Sequence, residues 1–146
     1  MKFGDKLRIL VSSNLILIVL DRLSRWFIFK NPDFYSGRFI ELKLFKNSGL
    51  YFFSLNPNFL NLIIGAVLLL LVFLFFKTLK QGNFLLTTGF SLIILAGFSN
   101  FFDRLYFGYV IDWIRIFILP TSIFNVADVM IIGGSICLIL SLRKLR

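Results

Sequence analysis

Two uncharged apolar runs, 59–76 and 84–102, constrain this chain more than any other feature. Each approaches the ~20 residues that a helix needs to cross the hydrocarbon of a bilayer. Two further runs come close. Residues 9–29 are uncharged as far as Leu20 and then carry Asp21, Arg22 and Arg25, while 123–142 holds Asp128 as its one charge. Inside lipid every backbone polar group must be satisfied within the segment, which leaves helices as the default. Composition agrees: 58% of the 146 residues are hydrophobic and 16% charged, against about 45–50% and about 25% in soluble domains. One core of this size cannot hold the excess. The expected fold is therefore all-α and integral to a membrane. It is a single domain over 1–146, with four transmembrane helices at about 9–29, 59–76, 84–102 and 123–142.

The basic start (Lys2, Lys6, Arg8) and the apolar core after it look like a signal peptide, but Asp21-Arg22 stands where a small-residue cleavage site belongs. The segment reads as a retained first helix. Basic residues are dense before it, in the short turn 77–83 (Lys77, Lys80) and at the end (Arg143, Lys144, Arg146). Such segments stay cytoplasmic, so both termini are expected inside and the loops 30–58 and 103–122 outside. Within the first outer loop, Phe39, Ile40, Leu42 and Leu44 alternate in part, which predicts a small extracytoplasmic β element. The glycines at 65, 89, 97, 133 and 134 are expected at helix–helix contacts, because small residues let membrane helices approach.

The inventory excludes several chemistries. With no histidine there is no Ser-His-Asp triad and no HExxH zinc site. Cys137 is alone, cannot form an intramolecular disulfide, and reads as a small buried hydrophobe. The lysines lie outside the apolar runs, which argues against a Ser-Lys dyad. No metal-ligand cluster, phosphate loop or cofactor motif is present. The net charge of +9 suits topology and anionic headgroups, so membrane lipids rather than nucleic acid are the expected partners.

On this topology the polar residues gather at one membrane face. Asp21 and Arg25 are spaced i,i+4 near the outer end of the first helix, Asn100, Asp103 and Arg104 end the third, and Asn125 and Asp128 begin the fourth. Asp112 lies in the second outer loop. Each has a plain alternative: Asp21/Arg25 as a structural ion pair, Asp103-Arg104 as interfacial anchors, Asp112 as a solvated loop acid. Asp128 is the hardest to read that way, since an acid inside an apolar span is a functional candidate by default. Two aspartates sharing a site cannot both ionise. One can then take a proton from water while the other protonates a carbonyl.

Three blocks resemble the signature of the lipoprotein signal peptidase (signal peptidase II) family: Asn100-Phe101-Phe102-Asp103-Arg104, Gly108-Tyr109-Val110-Ile111-Asp112 and Phe124-Asn125-Val126-Ala127-Asp128. Asp21 to Arg25 resembles the first-helix block Asp-x-x-x-Lys, and Asn47-Ser48-Gly49 its Asn-x-Gly block. The resemblance implies an aspartic endopeptidase of the bacterial inner membrane, with its active site toward the outer face and no cofactor or metal. It implies cleavage of diacylglyceryl-modified prolipoproteins just before the lipidated cysteine; a monomer is expected, though no residue pattern fixes the oligomeric state. Asp112 and Asp128 would be catalytic. Asn47, Gly49, Asn100, Arg104 and Asn125 would hold substrate and position the pair, and Asp21, Arg25 and Asp103 would support them. The chain departs from the family pattern at Leu50-Tyr51-Phe52, where Ala-Ala-Phe is usual, at Ser99 in place of Gly, and at Arg25 in place of Lys. Two other readings follow from the residues. One is an inactive paralogue that binds lipidated peptides, motivated by the bulky Leu50-Tyr51. The other is a small transporter or proton-relay subunit, against which the uncharged inner helix halves speak.

Overall fold

The computed structural model describes residues 3–49, 56–118 and 123–143. It contains four helices, α1 (Phe3–Lys30), α2 (Pro57–Gln81), α3 (Phe84–Phe107) and α4 (Val126–Arg143). Four strands accompany them: β1 (Tyr35–Ser36), β2 (Ile40–Asn47), β3 (Val110–Ile116) and β4 (Ile123–Phe124). Helices α2, α3 and α4 are each long and apolar enough to cross a membrane. The longer α1 is polar in its C-terminal half, where Asp21, Arg22 and Arg25 fall.

Burial is inverted relative to a soluble bundle. Large apolar side chains such as Leu15, Ile16, Leu69, Leu70 and Ile132 are exposed, while Asn14, Asp21, Arg25, Thr87, Ser99, Asp103 and Asn125 are buried. In α1 the buried positions Leu10, Asn14, Asp21, Arg25 and Ile28 recur every three, four or seven residues, which is one face of a helix. That face is largely polar and the outward face apolar. Such a surface is stable only where the solvent is itself apolar.

Element boundaries differ from the expected ones where polar residues extend or cut a helix. Helix α2 runs through Lys77 and Lys80 to Gln81 and is capped by left-handed Gly82, so these lysines lie on the end of the helix rather than in a turn. The side chain of Asn83 accepts from the Leu86 amide and starts α3. Helix α3 continues past 102 to Phe107 and carries Asp103 and Arg104 on its last turns. Residues 123–124, expected to be helical, form β4, and α4 starts at Val126. Cys137, expected buried, is half-buried.

The β element is larger than the sequence suggested. It is one antiparallel sheet in the order β1-β2-β3-β4, so the second loop contributes as much as the first. Asp112 therefore sits on a strand and is not a solvated loop residue. Phe45 faces Asp112 across the β2–β3 ladder, after an irregularity between Leu42 and Phe45. Asn47, two residues beyond Phe45, shares its face of the sheet and becomes the diagonal neighbour of Asp112.

Helix α3 packs against each of the other three helices. Its contact with α4 is close because both sides are glycine: a Cβ at Gly89 would lie 2.8 Å from the Gly134 carbonyl oxygen, and the reverse holds at the same distance. Gly97 is likewise covered by Leu68 of α2. Gly65 only approaches Phe101, and Gly133 faces open space, so neither is a tight helix contact. Beyond the glycines, Ala96, Ala127 and Met130 form a small core joined by Leu17 and Leu92.

Candidate active site

The site lies where the ends of α1 and α3, the start of α4 and the middle of the sheet meet. Its base is a buried ion cluster. Asp21, Arg25 and Asp103 are at most 1% exposed. Arg25 donates through Nε and one terminal nitrogen to both oxygens of Asp21, at 2.9 and 3.1 Å. Its other terminal nitrogen donates to Asp103. Arg22 donates to the second oxygen of Asp103 at 2.7 Å and to the Ser99 carbonyl at 3.3 Å. Two arginines thus balance two aspartates, and the lone pairs left over are also used. The Ala127 amide and the Ser99 hydroxyl donate to Asp21, and the Ile111 amide donates to Asp103. A buried ion pair requires this completeness, because each ion loses its hydration.

The cluster ties α1 and α3 to the elements that bear the two candidate catalytic aspartates. Ile111 precedes Asp112, and Ala127 precedes Asp128. One aspartate of the base therefore holds each backbone by the amide next to the candidate aspartate.

Asp128 occupies the third position of α4. Its carboxylate accepts from the Asn125 backbone amide at 3.0 Å, while the Asn125 side-chain oxygen accepts from the Asp128 amide at 3.0 Å. This reciprocal pair is a capping box, with Asn and Asp in place of Ser and Glu. It also fixes the amide of Asn125, so that its Nδ2 donates to Asp112 Oδ1 at 2.6 Å. Asn47 Nδ2 donates to Asp112 Oδ2 at 2.7 Å. Asn100 Nδ2 donates to the other Asp128 oxygen at 3.1 Å, and its own oxygen is held at 2.6 Å by Arg25. Each asparagine is oriented by a partner whose polarity is fixed, so the amides point one way.

Asp112 is 1% exposed. Burial, reinforced by the nearby Asp128 charge, pushes its carboxyl up to about 6 against the opposing hydrogen bonds from Asn47 and Asn125.

Beside the aspartates, Gly49 has φ +71° and its amide donates to the Asn47 side-chain oxygen at 2.9 Å. A Cβ there would lie 2.8 Å from the Arg104 guanidinium, which donates to the Ser48 carbonyl at 3.2 Å. Glycine is needed twice, for the left-handed backbone and for the room. Leu50, Tyr51 and Phe52 lie outside the described residues. Among the described residues, no three Cys, Asp or Glu side chains group so as to hold a metal ion.

All ten candidate residues of the sequence come together here. Two further ones had gone unassigned. Ser99 was marked only as a departure, and its hydroxyl serves Asp21. Arg22 gave no local signal, because its partner Asp103 is on another helix. The capping box has a sequence signal, Asn-x-x-Asp ahead of an apolar run, which the i,i+3 spacing of Asn125 and Asp128 on a helix from 123 did not use.

Comparison with known proteins bears on the family and the fold. The sequence model of the signal peptidase (SPase) II family matches residues 13–144. A lipoprotein signal peptidase of Streptococcus agalactiae serotype Ia is 32% identical over 136 residues, 89% of this chain and 88% of that one. One from Caldicellulosiruptor bescii is 34% identical, covering 86% of this chain and 85% of its own length. A bacterial membrane enzyme solved by the in meso method at 1.9 Å superposes with a TM-score of 0.78 at 27% identity, over 95% of this chain and 92% of that one. With the family model matched over residues 13–144 and relatives at 32–34% identity over most of the chain, the chain belongs to the signal peptidase II family of proteases.

Proposed function

We propose that this protein is an intramembrane aspartic endopeptidase that removes signal peptides from diacylglyceryl-modified prolipoproteins, with Asp112 and Asp128 as its catalytic pair. The observation that carries the assignment is the single asparagine, Asn125, bonded through its side chain to one aspartate and through its backbone to the other.

The reaction follows from two carboxyls with different roles. Asp112, whose carboxyl burial raises, serves as the acid, and Asp128 serves as the base. Asp128 takes a proton from water as the water oxygen bonds to the scissile carbonyl carbon. Asp112 gives its proton to the carbonyl oxygen, which yields a neutral gem-diol. When the diol collapses, the C–N bond breaks, the proton on Asp128 passes to the leaving nitrogen, and a diol hydroxyl returns a proton to Asp112. The pair ends as it began. Arg104 and Asn100 are placed to bind substrate carbonyls, and the buried ion cluster keeps the aspartates at fixed separation.

In this reading residues 1–146 form one membrane domain. All four helices span, α1 included, with its polar stripe turned inward. Both termini are cytoplasmic, the site opens at the outer face of the bacterial inner membrane, and the protein acts as a monomer among lipids. Lys77 and Lys80 at the C-terminal end of α2 support this orientation, because they lie at the opposite end from the acidic site.

The test is cleavage of a lipidated prolipoprotein by purified wild type, Asp112→Asn and Asp128→Asn, with melting curves to verify folding. Each variant should lose about 10²–10⁴-fold in rate, the usual worth of general acid–base catalysis. Full activity in either folded variant would overturn the pair. A folded wild type inactive on several lipidated substrates would favour the binding paralogue.

A further inference from the structure

Two cavities between α2 and α3 run into one another. The smaller, of about 250 Å³, lies beside Arg104 and is lined also by Ser48, Asn58 and Asn61. The larger, of about 650 Å³, shares Asn58, Asn61 and Leu105 with it and continues along the helices over Gly65 and Ala66. Its α2 lining recurs at 58, 61–62, 65–66 and 68–69, which is one face of a helix. From Asn61 to Leu69 that face is about 12 Å long at 1.5 Å per residue. The result is a groove with a polar mouth and an apolar length.

The mouth presents donors that lack acceptors. Asn61 is half-buried in an otherwise apolar stretch of α2, and its carboxamide has no hydrogen-bond partner among the described residues. Arg104 spends one terminal nitrogen on the Ser48 carbonyl, and a guanidinium carries five N–H donors. A transmembrane peptide helix does not match this mouth, because its carbonyls are already bonded within the helix. An ester carbonyl on a hydrocarbon chain does: it accepts, brings no donor of its own, and leads into hydrocarbon.

We propose that this groove seats one acyl chain of the substrate's diacylglyceryl group, with Asn61 Nδ2 donating to the ester carbonyl, which makes Asn61 a specificity-determining residue. The identity of the lipid rests on the peptidase reading above. Arg104 lines the mouth and also lies against Gly49, whose amide is held by the same Asn47 that bonds Asp112. The mouth is therefore continuous with the aspartate site. In that reading the lipidated cysteine directly follows the scissile bond, so its glyceryl group reaches the mouth. That continuity favours the substrate's own lipid over bulk phospholipid.

The experiment compares cleavage of a synthetic prolipoprotein peptide bearing a dipalmitoylglyceryl cysteine with that of its diether counterpart, which lacks both ester carbonyls. In wild type the diether KM should be about threefold to tenfold higher, the worth of one net hydrogen bond, with kcat alike. Asn61→Leu should remove the difference. Ala66→Phe, which fills the groove from its exposed side, should raise KM for the dipalmitoyl peptide several-fold more than for a diacetyl one. Melting curves verify that both variants fold. Equal KM values for diester and diether in wild type, or a preference that persists in folded Asn61→Leu, would overturn the inference. A second readout does not need turnover: a peptide with a diazirine in its palmitoyl chains should label 61–69 of α2 and 98–105 of α3. Label missing from those stretches, or displaced there by phosphatidylglycerol as readily as by unlabelled peptide, would also overturn it. A wild type that is labelled there but cleaves no peptide would sink the peptidase reading and leave the groove assignment standing.

Discussion

At the scale of single residues, the decisive property is that polar side chains with fixed donor or acceptor character orient those that could point either way. Arg25 can only donate, so the Asn100 oxygen turns to it and the Asn100 Nδ2 turns to Asp128. Arg25→Met would leave Asp21 and Asp103 short of their buried partner and should cost about 3–5 kcal/mol of stability, read by unfolding in detergent. Arg25→Lys keeps the charge, but a point cation cannot serve both aspartates and Asn100 in the fork geometry of a guanidinium. It should fold and cleave more slowly. Asp112 sets the pH response. Its carboxyl is raised above the ordinary range to about 6, so the fold favours the neutral form. That contribution to stability is full below the ordinary carboxylate range and is lost as pH rises through about 6. The melting temperature of wild type should therefore fall relative to Asp112→Asn between pH 5 and pH 8. Infrared spectroscopy should show a carboxyl that titrates near pH 6 and is missing from that variant. A difference in melting that is flat with pH would count against the raised carboxyl.

At the scale of elements, helix contacts rest on a few glycines, and these differ sharply from one another. Gly134→Ala would drive a Cβ to within 2.8 Å of the Gly89 backbone, so α3 and α4 must part. Overpacking of this kind costs about 1–3 kcal/mol. Because Asp128 rides on α4 and Asn100 on α3, activity should fall with stability. Gly133→Ala meets nothing within 4 Å and should be neutral or slightly stabilising. Melting curves and cleavage rates of the two variants decide this. The sheet shows why elements were harder to read than spans. Strand β4 is two residues long, and β3 has neither clear alternation nor an isolated position in the sequence. Strand pairing is a non-local property, so the second loop's share of the sheet had no local signature. The start of α4 was expected three residues early, at 123, because the apolar run extends through β4 and the Asn-x-x-Asp capping box that ends it is polar.

At the scale of the whole molecule, the inverted burial pattern makes the topology testable. In a Cys137→Ala background, a cysteine at Lys43 on β2 should react with a membrane-impermeant maleimide in intact cells, and one at Gln81 should react only after lysis. The exposed Lys43–Asp33 pair at 2.8 Å contributes little to stability, so the first change is mild. The reverse pattern would invert the orientation. What the sequence by itself determined is the solvent and the outline: runs of uncharged residues require helices in lipid, and the aspartate and asparagine blocks mark where the polar groups gather. Those properties are local and additive along the chain. Only the tertiary structure decided that Arg22 and Arg25 share Asp103, that Ser99 serves Asp21, and that Asn125 bridges Asp112 and Asp128. These depend on distances between residues far apart in sequence, which the packing of α3 against α1 and α4 and the register of β2 on β3 bring within hydrogen-bond reach.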